Sequence, residues 1–261
     1  MAHKPVSSNG KLLRAPRDRT IRALNDLYVL AGLTAQSLLE MQERVREGEL
    51  EDEIEFEAPS SDRETTVVTR DVGELSKLLQ VASASGVYQQ SLVTAVAVAE
   101  DYLQSVLKQV LRWFPEKLKL NVEGRNTDKT IELDLVLRSS TVEDILDSAI
   151  SKQLLSIFYG SPDRYFQYIE SILSVKIEKE LKDSFAEIKA TRDIIVHNSG
   201  IANEVYAEKA GTKARSQPGK LLKNDKAYFG TAIKVMKKLC ITIFSQALKK
   251  FGNSPTRSSK R

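Results

Sequence analysis

The feature that most constrains this fold is the recurrence of apolar residues at steps of three and four along several long segments. That spacing places apolar side chains on one side of an α-helix. The pattern is clearest from Val87 to Phe114, and Pro115 ends it. It also predicts helices over residues 17–46, 141–159, 163–175, 176–196, 201–210 and 225–251. Thr141 and Asp144 resemble a capping box at the start of the second of these, and Gly200 lies where a residue just past a helix end is expected. Helices with one apolar face bury that face against each other, so the sequence predicts an all-α bundle.

Three regions depart from this pattern. Residues 1–15 are polar and precede Pro16, which predicts a loose arm. From Glu47 to Glu57, seven of eleven residues are acidic, and Ala58–Asp62 is polar and turn-rich, so this stretch predicts a linker before a short extended run at 65–69. Residues 119–138 are ambiguous. Asn121–Asp128 is turn-rich and Thr130–Leu137 alternates partly like a strand, which leaves a short β-hairpin insertion open.

Composition excludes several classes of protein. The chain has 261 residues, of which 41% are hydrophobic, enough for a sizeable core. It has one cysteine, Cys240, so no intramolecular disulfide can form and a cytoplasmic location is expected. Cys240 lies in an apolar helical run, which predicts a core residue, and a nucleophile is the alternative. No apolar run is long enough for a bilayer span, and we expect no membrane association. One cysteine and two histidines do not form a metal-ligand pattern.

Basic residues are concentrated late in the chain. Between Lys209 and Lys226 six residues are basic and only Asp225 is acidic. The side chains that we expect to contact RNA are Lys209, Lys213, Arg215, Lys220 and Lys223. A solvated basic loop without a ligand is the equally weighted alternative.

The residues best suited to chemistry lie at the end of the helix predicted over 176–196. The segment Arg192–Ser199 reads RDIIVHNS and holds His197, the only histidine outside the first few residues. Histidine exchanges protons near neutral pH, and arginine remains charged and binds phosphate oxygens. In a regular helix Asp193 shares the face of His197, whereas Arg192 lies about 140° away. One ligand therefore reaches both only if the helix ends near His197 or a second copy faces it.

The segment Arg192–Tyr206, RDIIVHNSGIANEVY, resembles the Arg-x4-6-His signature of the HEPN superfamily (higher eukaryotes and prokaryotes nucleotide-binding). The polar residue after the arginine and the sequence His-Asn-x-Gly are similar to a prokaryotic branch associated with phage defence and toxin–antitoxin systems. The resemblance covers about residues 87–252. It implies a HEPN-like domain there. Residues 1–86 lie outside the resemblance and are predicted to form an N-terminal helical extension with an acidic linker, and residues 253–261 a basic flexible tail.

This resemblance implies metal-independent RNA cleavage at a site shared by a homodimer, without a cofactor. The ribose 2′-hydroxyl attacks the adjacent phosphate, which yields a 2′,3′-cyclic phosphate and a free 5′-hydroxyl. Arg192 and His197 would be catalytic. Asp193 would orient the imidazole, and Asn198 would bind the phosphate or the helix end. Glu100, predicted to face inward from the helix at 87–114, is an accessory residue and a partner for Arg192.

Other interpretations of the same residues remain open. His197 and Asn198 can simply cap a helix end, and the Arg192–Asp193 pair can be an ordinary surface ion pair. The protein would then be a non-catalytic HEPN scaffold that binds an antitoxin or another protein of a defence complex. A third alternative is RNA binding without cleavage. The aromatic cluster at 159–168 can stack on bases, but packing between helices is favoured.

Overall fold

The computed structural model describes residues 8–50, 52–120, 130–131, 133–158 and 162–252. Within these residues the chain is mostly helical, which confirms the all-α prediction. The helices are α1 (Ser8–Arg46), α2 (Val72–Val81), α3 (Val87–Trp113), α4 (Leu133–Arg138), α5 (Val142–Phe158), α6 (Pro162–Leu173), α7 (Lys179–His197), α8 (Glu204–Ala210) and α9 (Lys226–Phe251). The tail predicted at 253–261 and the turn-rich stretch 121–128 lie outside the described residues.

Helix α1 begins at Ser8, so the loose-arm prediction is wrong for residues 8–15. Leu13 is buried in the main core, and the side-chain amide of Asn9 donates a hydrogen bond to the backbone oxygen of Phe251 at 3.3 Å. These contacts hold the first turns although Pro16 lies inside the helix and has no N–H to donate. The start of the chain is therefore packed against its last helix.

A β-hairpin occupies the region predicted to be an acidic linker. Strand β1 (Glu53–Pro59) pairs antiparallel with β2 (Thr65–Asp71), and Phe56 lies opposite Val68. The sequence of β1 alternates glutamate with apolar residues, so its two faces differ in character. The linker interpretation is wrong here, because the acidic composition concealed a period of two. The extended run predicted at 65–69 lies within β2.

The strand interpretation of Thr130–Leu137 is also wrong where the structure describes it. Residues 133–138 form helix α4, in which Arg138 Nη2 lies 2.9 Å from Asp134 Oδ2. Such a pair four residues apart is typical of a helix surface. The described part of residues 119–138 contains no strand. Alternation of apolar and polar residues over only eight positions did not distinguish a strand from a short helix.

Helix α3 is central to the core. Helices α1, α7 and α9 pack against it, and buried residues of α1 such as Leu24 and Ala31 belong to the same apolar cluster as Val96 of α3 and Met236 of α9. A π-helical turn, Ala82–Gly86, joins α2 directly to α3. The first helix of the predicted N-terminal extension thus shares its core with the predicted 87–252 domain.

Local capping residues fix the starts of three helices. The capping box predicted at the start of α5 is present: Thr141 N donates to Asp144 Oδ2 at 2.9 Å, and Asp144 N donates to Thr141 Oγ1 at 3.1 Å. Asn203 caps α8 and Asp225 caps α9, each by accepting a backbone N–H with its side chain. These caps define where α5, α8 and α9 begin.

Candidate active site

A cleft of about 640 Å³ lies beside the C-terminal half of α7. Its walls come from α3, α5, α7 and the segment around α8. The polar lining residues are Glu100, Gln104, Lys189, Arg192, Asp193, His197, Asn198, Asn203, Tyr206 and Lys209, and the apolar ones are Leu155, Phe158, Ala190, Ile194 and Val205. All four residues predicted to be catalytic and the predicted accessory residue line this cleft.

The end of α7 explains how Arg192 and His197 reach one cleft. The helix ends at His197, and Asn198 N and Gly200 N both donate to Ile194 O at 2.9 Å. Gly200 adopts φ +77°, as predicted for a residue just past a helix end. The chain therefore turns away directly after the imidazole. A helix that ends near His197 was one of the two arrangements in which one ligand could reach both Arg192 and His197.

Five charged side chains of alternating sign form a chain of contacts in the cleft, which we call the charge chain. In order they are Lys189, Glu100, Arg192, Asp193 and Lys209. Arg192 Nη2 donates to Glu100 Oε2 at 3.1 Å, and Arg192 Nη1 lies 3.1 Å from Asp193 Oδ1. Three cations and two carboxylates give the charge chain a net charge of +1, which favours an anionic ligand.

The inner end of the charge chain is largely withdrawn from solvent. The side chains of Lys189, Glu100 and Arg192 are 10%, 13% and 23% exposed. A charge removed from water requires an opposite charge close by. The Glu100–Arg192 contact predicted from the sequence is present. The sequence interpretation missed Lys189, although it lies on α7 three residues before Arg192 and therefore on a neighbouring part of the helix surface.

Asp193 contacts cations instead of the imidazole. One carboxylate oxygen pairs with Arg192, and the other accepts a hydrogen bond from Lys209 Nζ at 3.1 Å. No hydrogen bond joins Asp193 to His197 among the described residues, so the predicted orienting contact is not present. Asp193 instead holds the guanidinium of Arg192 and joins α7 to α8.

His197 is exposed and makes no hydrogen bond or ion pair within the described part of the chain. Its neighbour Asn198 donates from Nδ2 to Ile201 O at 2.6 Å. Of the two roles predicted for Asn198, this bond corresponds to stabilising the helix end. The imidazole thus has both ring nitrogens available to a ligand in the cleft.

The five basic residues predicted to contact RNA have different environments. Lys209 lines the cleft as the outer end of the charge chain. Lys213 pairs with Glu180, and Lys223 Nζ lies 3.0 Å from Asp225 Oδ2 while remaining exposed. Lys220 is exposed and has no ion pair among the described residues. These positions leave Lys209, Lys220 and Lys223 able to meet an anionic ligand.

Arg215 is removed from the set of predicted RNA contacts, because its guanidinium points into the protein. Its side chain is 25% exposed, and Nε donates to Glu187 Oε1 at 2.8 Å. The guanidinium carbon lies 3.4 Å from the centre of the Tyr228 ring, a cation–π contact. The bond from Nη1 to Lys223 O, 2.7 Å long, ties the basic loop together. Arg215 therefore has a structural role.

Glu187 is a buried residue that the sequence interpretation missed. Its carboxylate accepts hydrogen bonds from Thr191 Oγ1, Tyr206 OH, Arg215 Nε and Tyr228 OH, at 2.7, 3.0, 2.8 and 2.8 Å respectively. Burial, followed by the charge of Glu187, raises the pKa of Tyr228, so that the phenol remains a donor. The sequence could have indicated this burial, because Glu187 lies beside Phe185 and Ile188 on the inner side of α7. This cluster fixes α8 and the basic loop against α7.

Other predicted candidates are buried away from the cleft. Tyr165, Phe166 and Tyr168 are buried in the core, which supports packing and not base stacking as their role. Burial raises the pKa of the Cys240 thiol to about 12, so it stays protonated and is excluded as a nucleophile. The described residues contain no group of three or more histidine, cysteine, aspartate or glutamate side chains arranged to hold a metal ion.

Comparison with known proteins assigns the chain to no family. No protein-family model, curated protein or solved structure matches the chain. Among the described helices, none combines the length and the apolar character required to cross a bilayer.

Proposed function

We propose that this protein is a metal-independent endoribonuclease of the HEPN type that acts in phage defence or as a toxin. The observation that carries the proposal is that Arg192 and His197 line one cleft at the end of α7, with the net positive charge chain beside them. An exposed imidazole next to a fixed guanidinium provides a proton acceptor and a phosphate ligand. The resemblance of RDIIVHNSG to the HEPN signature is the second support.

Arg192 would bind the scissile phosphate. A guanidinium has five N–H groups, of which one on Nη2 donates to Glu100, while Nη1 lies 3.1 Å from Asp193 Oδ1. The remaining donors can bind phosphate oxygens and stabilise the charge that accumulates on them in the transition state. The two carboxylates hold the guanidinium in place before the ligand arrives, which reduces the entropy lost on binding.

His197 would transfer protons. The ribose 2′-oxygen attacks the adjacent phosphorus while its proton passes to the imidazole, and the bond between phosphorus and the 5′-oxygen breaks. The leaving 5′-oxygen takes up a proton. The products are a 2′,3′-cyclic phosphate and a 5′-hydroxyl, and the reaction consumes no water in this step. An acid and a base on opposite sides of the phosphorus accelerate such a transfer.

A homodimer would supply the second imidazole. One histidine, His197, lines the cleft among the described residues of a single chain. A two-fold axis near the end of α7 would place two copies of Arg192 and His197 around one phosphate, so that one histidine acts as base and the other as acid. The exposed position of His197 is compatible with this arrangement.

The direct test is RNA cleavage by purified protein in the presence of EDTA, with end-group analysis of the products. We expect cyclic phosphate ends in the wild type and a loss of at least about 100-fold in His197→Ala and Arg192→Ala, the usual contribution of an acid–base group. Arg22→Ala, which removes an exposed arginine of α1, is the matched control and should cut normally. Cleavage that persists unchanged in His197→Ala would refute the proposal.

Mixing the wild type with His197→Ala tests the shared site separately. If one site needs a histidine from each protomer, only wild-type homodimers cut RNA. Random exchange of equal amounts would then leave roughly a quarter of the dimers active, because about half of the dimers are mixed and about a quarter carry two altered chains. Activity that falls only to about half would contradict a site that needs two histidines.

A non-catalytic binding module is the second candidate, and one observation favours it. Val29, Leu30 and Leu33 lie on one side of α1 and are each more than half exposed, which is unusual for adjacent apolar residues on a helix. Such a surface fits a protein partner, such as an antitoxin or a defence-complex subunit. A stoichiometric partner that is lost in Leu30→Glu and retained in His197→Ala would support this function, provided that the wild type does not cut RNA.

A further inference from the structure

The cleft has an apolar part that the proposed chemistry does not use. Leu155 of α5 and Val205 of α8 line it, yet they are 58% and 54% exposed. Phe158 and Ile194 continue the apolar surface and are buried. Two exposed branched side chains from different helices thus border the same cleft as the charge chain. Apolar surface left open beside fixed charges indicates a ligand that has both kinds of surface.

The cleft also has a polar side chain available for recognition. The amide of Gln104, on α3 four residues after Glu100, makes no hydrogen bond with the described part of the protein. Asn203 uses its side-chain oxygen to cap α8 at Tyr206 N, 2.9 Å away. An amide group both donates and accepts hydrogen bonds, as the edge of a nucleobase does. Gln104 is therefore suited to contact a base without contributing charge.

We infer that the cleft binds an unstacked base of single-stranded RNA, with the apolar residues Leu155 and Val205 against the face of the base and Gln104 at its edge. This inference rests on the proposed function, and it specifies the class of substrate. The phosphate of the same nucleotide lies on Arg192 and Lys209, so the two kinds of surface in the cleft match the two parts of a nucleotide.

The chemistry of cleavage gives an independent reason for an unstacked nucleotide. Attack by the 2′-oxygen requires that it lie in line with the bond to the leaving 5′-oxygen, which the regular backbone of an A-form duplex does not allow. Single-stranded RNA can turn one base out of the stack, and proteins that read RNA commonly bind such bases. A base held in the cleft would keep the backbone in the reactive geometry.

Binding measurements separate this inference from the cleavage reaction. The His197→Ala protein keeps the apolar residues and the charge chain, so it can be titrated in EDTA with labelled ten-nucleotide RNAs without product formation. The three probes are a single strand, the same strand in a duplex, and an oligomer of abasic ribose with the same phosphates. We expect the single strand to bind at least about five-fold more tightly than the abasic oligomer, the effect of burying roughly 40 Å² of apolar surface under the base.

A substitution in the cleft locates the effect. Leu155→Asn, made in the His197→Ala background, should weaken binding of the single strand and leave the abasic oligomer unchanged. Leu78→Asn is the matched control, because Leu78 of α2 is also 58% exposed and lies outside the cleft. Equal binding of the abasic oligomer and the single strand would overturn the inference, and so would equal effects of the two substitutions.

The outcomes also distinguish failure of the inference from failure of the proposed function. If the wild type cuts RNA but Leu155→Asn behaves like Leu78→Asn, the protein is a nuclease without this base subsite. If the single strand binds through the cleft and the wild type does not cut, the base subsite exists and the catalytic proposal is wrong. Preference for the duplex in the same titration contradicts the inference directly.

Discussion

Glu100 accepts a hydrogen bond from Arg192 over 3.1 Å, although the two residues are 92 positions apart in the sequence. The same carboxylate also pairs with Lys189. One acidic side chain of α3 thereby fixes two cations of α7 in the cleft. The contact joins the stability of the bundle to the position of the group that we propose to bind phosphate.

The Glu100 contacts predict a large loss of stability when the carboxylate is removed. Glu100→Ala would leave Lys189, which is 10% exposed, without an opposite charge. We expect the free energy of unfolding to fall by roughly 3 kcal/mol, the size found when one partner of a buried ion pair is removed. Urea unfolding measures it. Asp101→Ala, at the adjacent exposed position, should change stability by less than about 0.5 kcal/mol.

A double substitution identifies the cause of that loss. Glu100→Leu combined with Lys189→Met removes both charges and keeps apolar volume, so it should recover most of the stability lost in Glu100→Ala. If the double variant is as unstable as Glu100→Ala, loss of packing and not the unpaired lysine explains the effect.

The Glu187 cluster predicts a second destabilising substitution. Glu187→Ala would leave the hydroxyls of Tyr206 and Tyr228 and the Nε of Arg215 without their acceptor. We expect a loss of roughly 3 kcal/mol or more in urea unfolding. Glu180→Ala on the same helix breaks an exposed pair with Lys213 and should cost less than about 1 kcal/mol. Similar losses in the two variants would contradict the structural role of the cluster.

Two glycines predict opposite effects of the same substitution. Gly200→Ala places a side chain at φ +77°, and we expect a loss of about 1 kcal/mol from backbone strain. Gly32 lies inside α1 with open space around an added Cβ atom, so Gly32→Ala should raise stability by about 0.5–1 kcal/mol. Thermal unfolding of both variants measures the difference. A Gly200→Ala protein as stable as the wild type would show that the turn after α7 does not require glycine.

Asp225 predicts a pH-dependent contribution to stability. The N–H of Tyr228 donates to Asp225 Oδ1 at 3.0 Å and, followed by the bond from Lys223, lowers the pKa of this carboxyl from 3.8. A carboxyl with a lowered pKa stabilises the fold above its unfolded pKa, and this contribution is lost as the pH falls through the folded pKa. Asp225→Asn keeps the cap but cannot titrate.

The comparison that checks this is urea unfolding of the wild type and Asp225→Asn at neutral pH and well below pH 3.8. Other acidic groups titrate alike in both proteins and cancel. The stability of the wild type relative to Asp225→Asn should therefore decrease on acidification. A difference that is independent of pH would show that the charge of Asp225 does not contribute.

Local patterns in the sequence predicted the helix caps, helix ends and turns that depend on neighbouring residues. The capping box of Thr141 and Asp144, the end of α3 before Pro115 and the left-handed turn at Gly200 each depend on residues within a few positions. The wrong predictions for β1 and for residues 133–138 also have a local cause. Composition hid the alternation of β1, and the short segment 133–138 fitted two periods.

The sequence by itself determined most of the helices and the placement of Arg192 and His197 near the end of one helix. Tertiary structure decided which distant groups meet them. It brought Glu100 to Arg192 and Lys209 to Asp193, and it turned Arg215 inward onto Glu187 and Tyr228. The physical reason is that periodicity records which face of a helix is buried, whereas the partner of a buried charge depends on how remote helices pack.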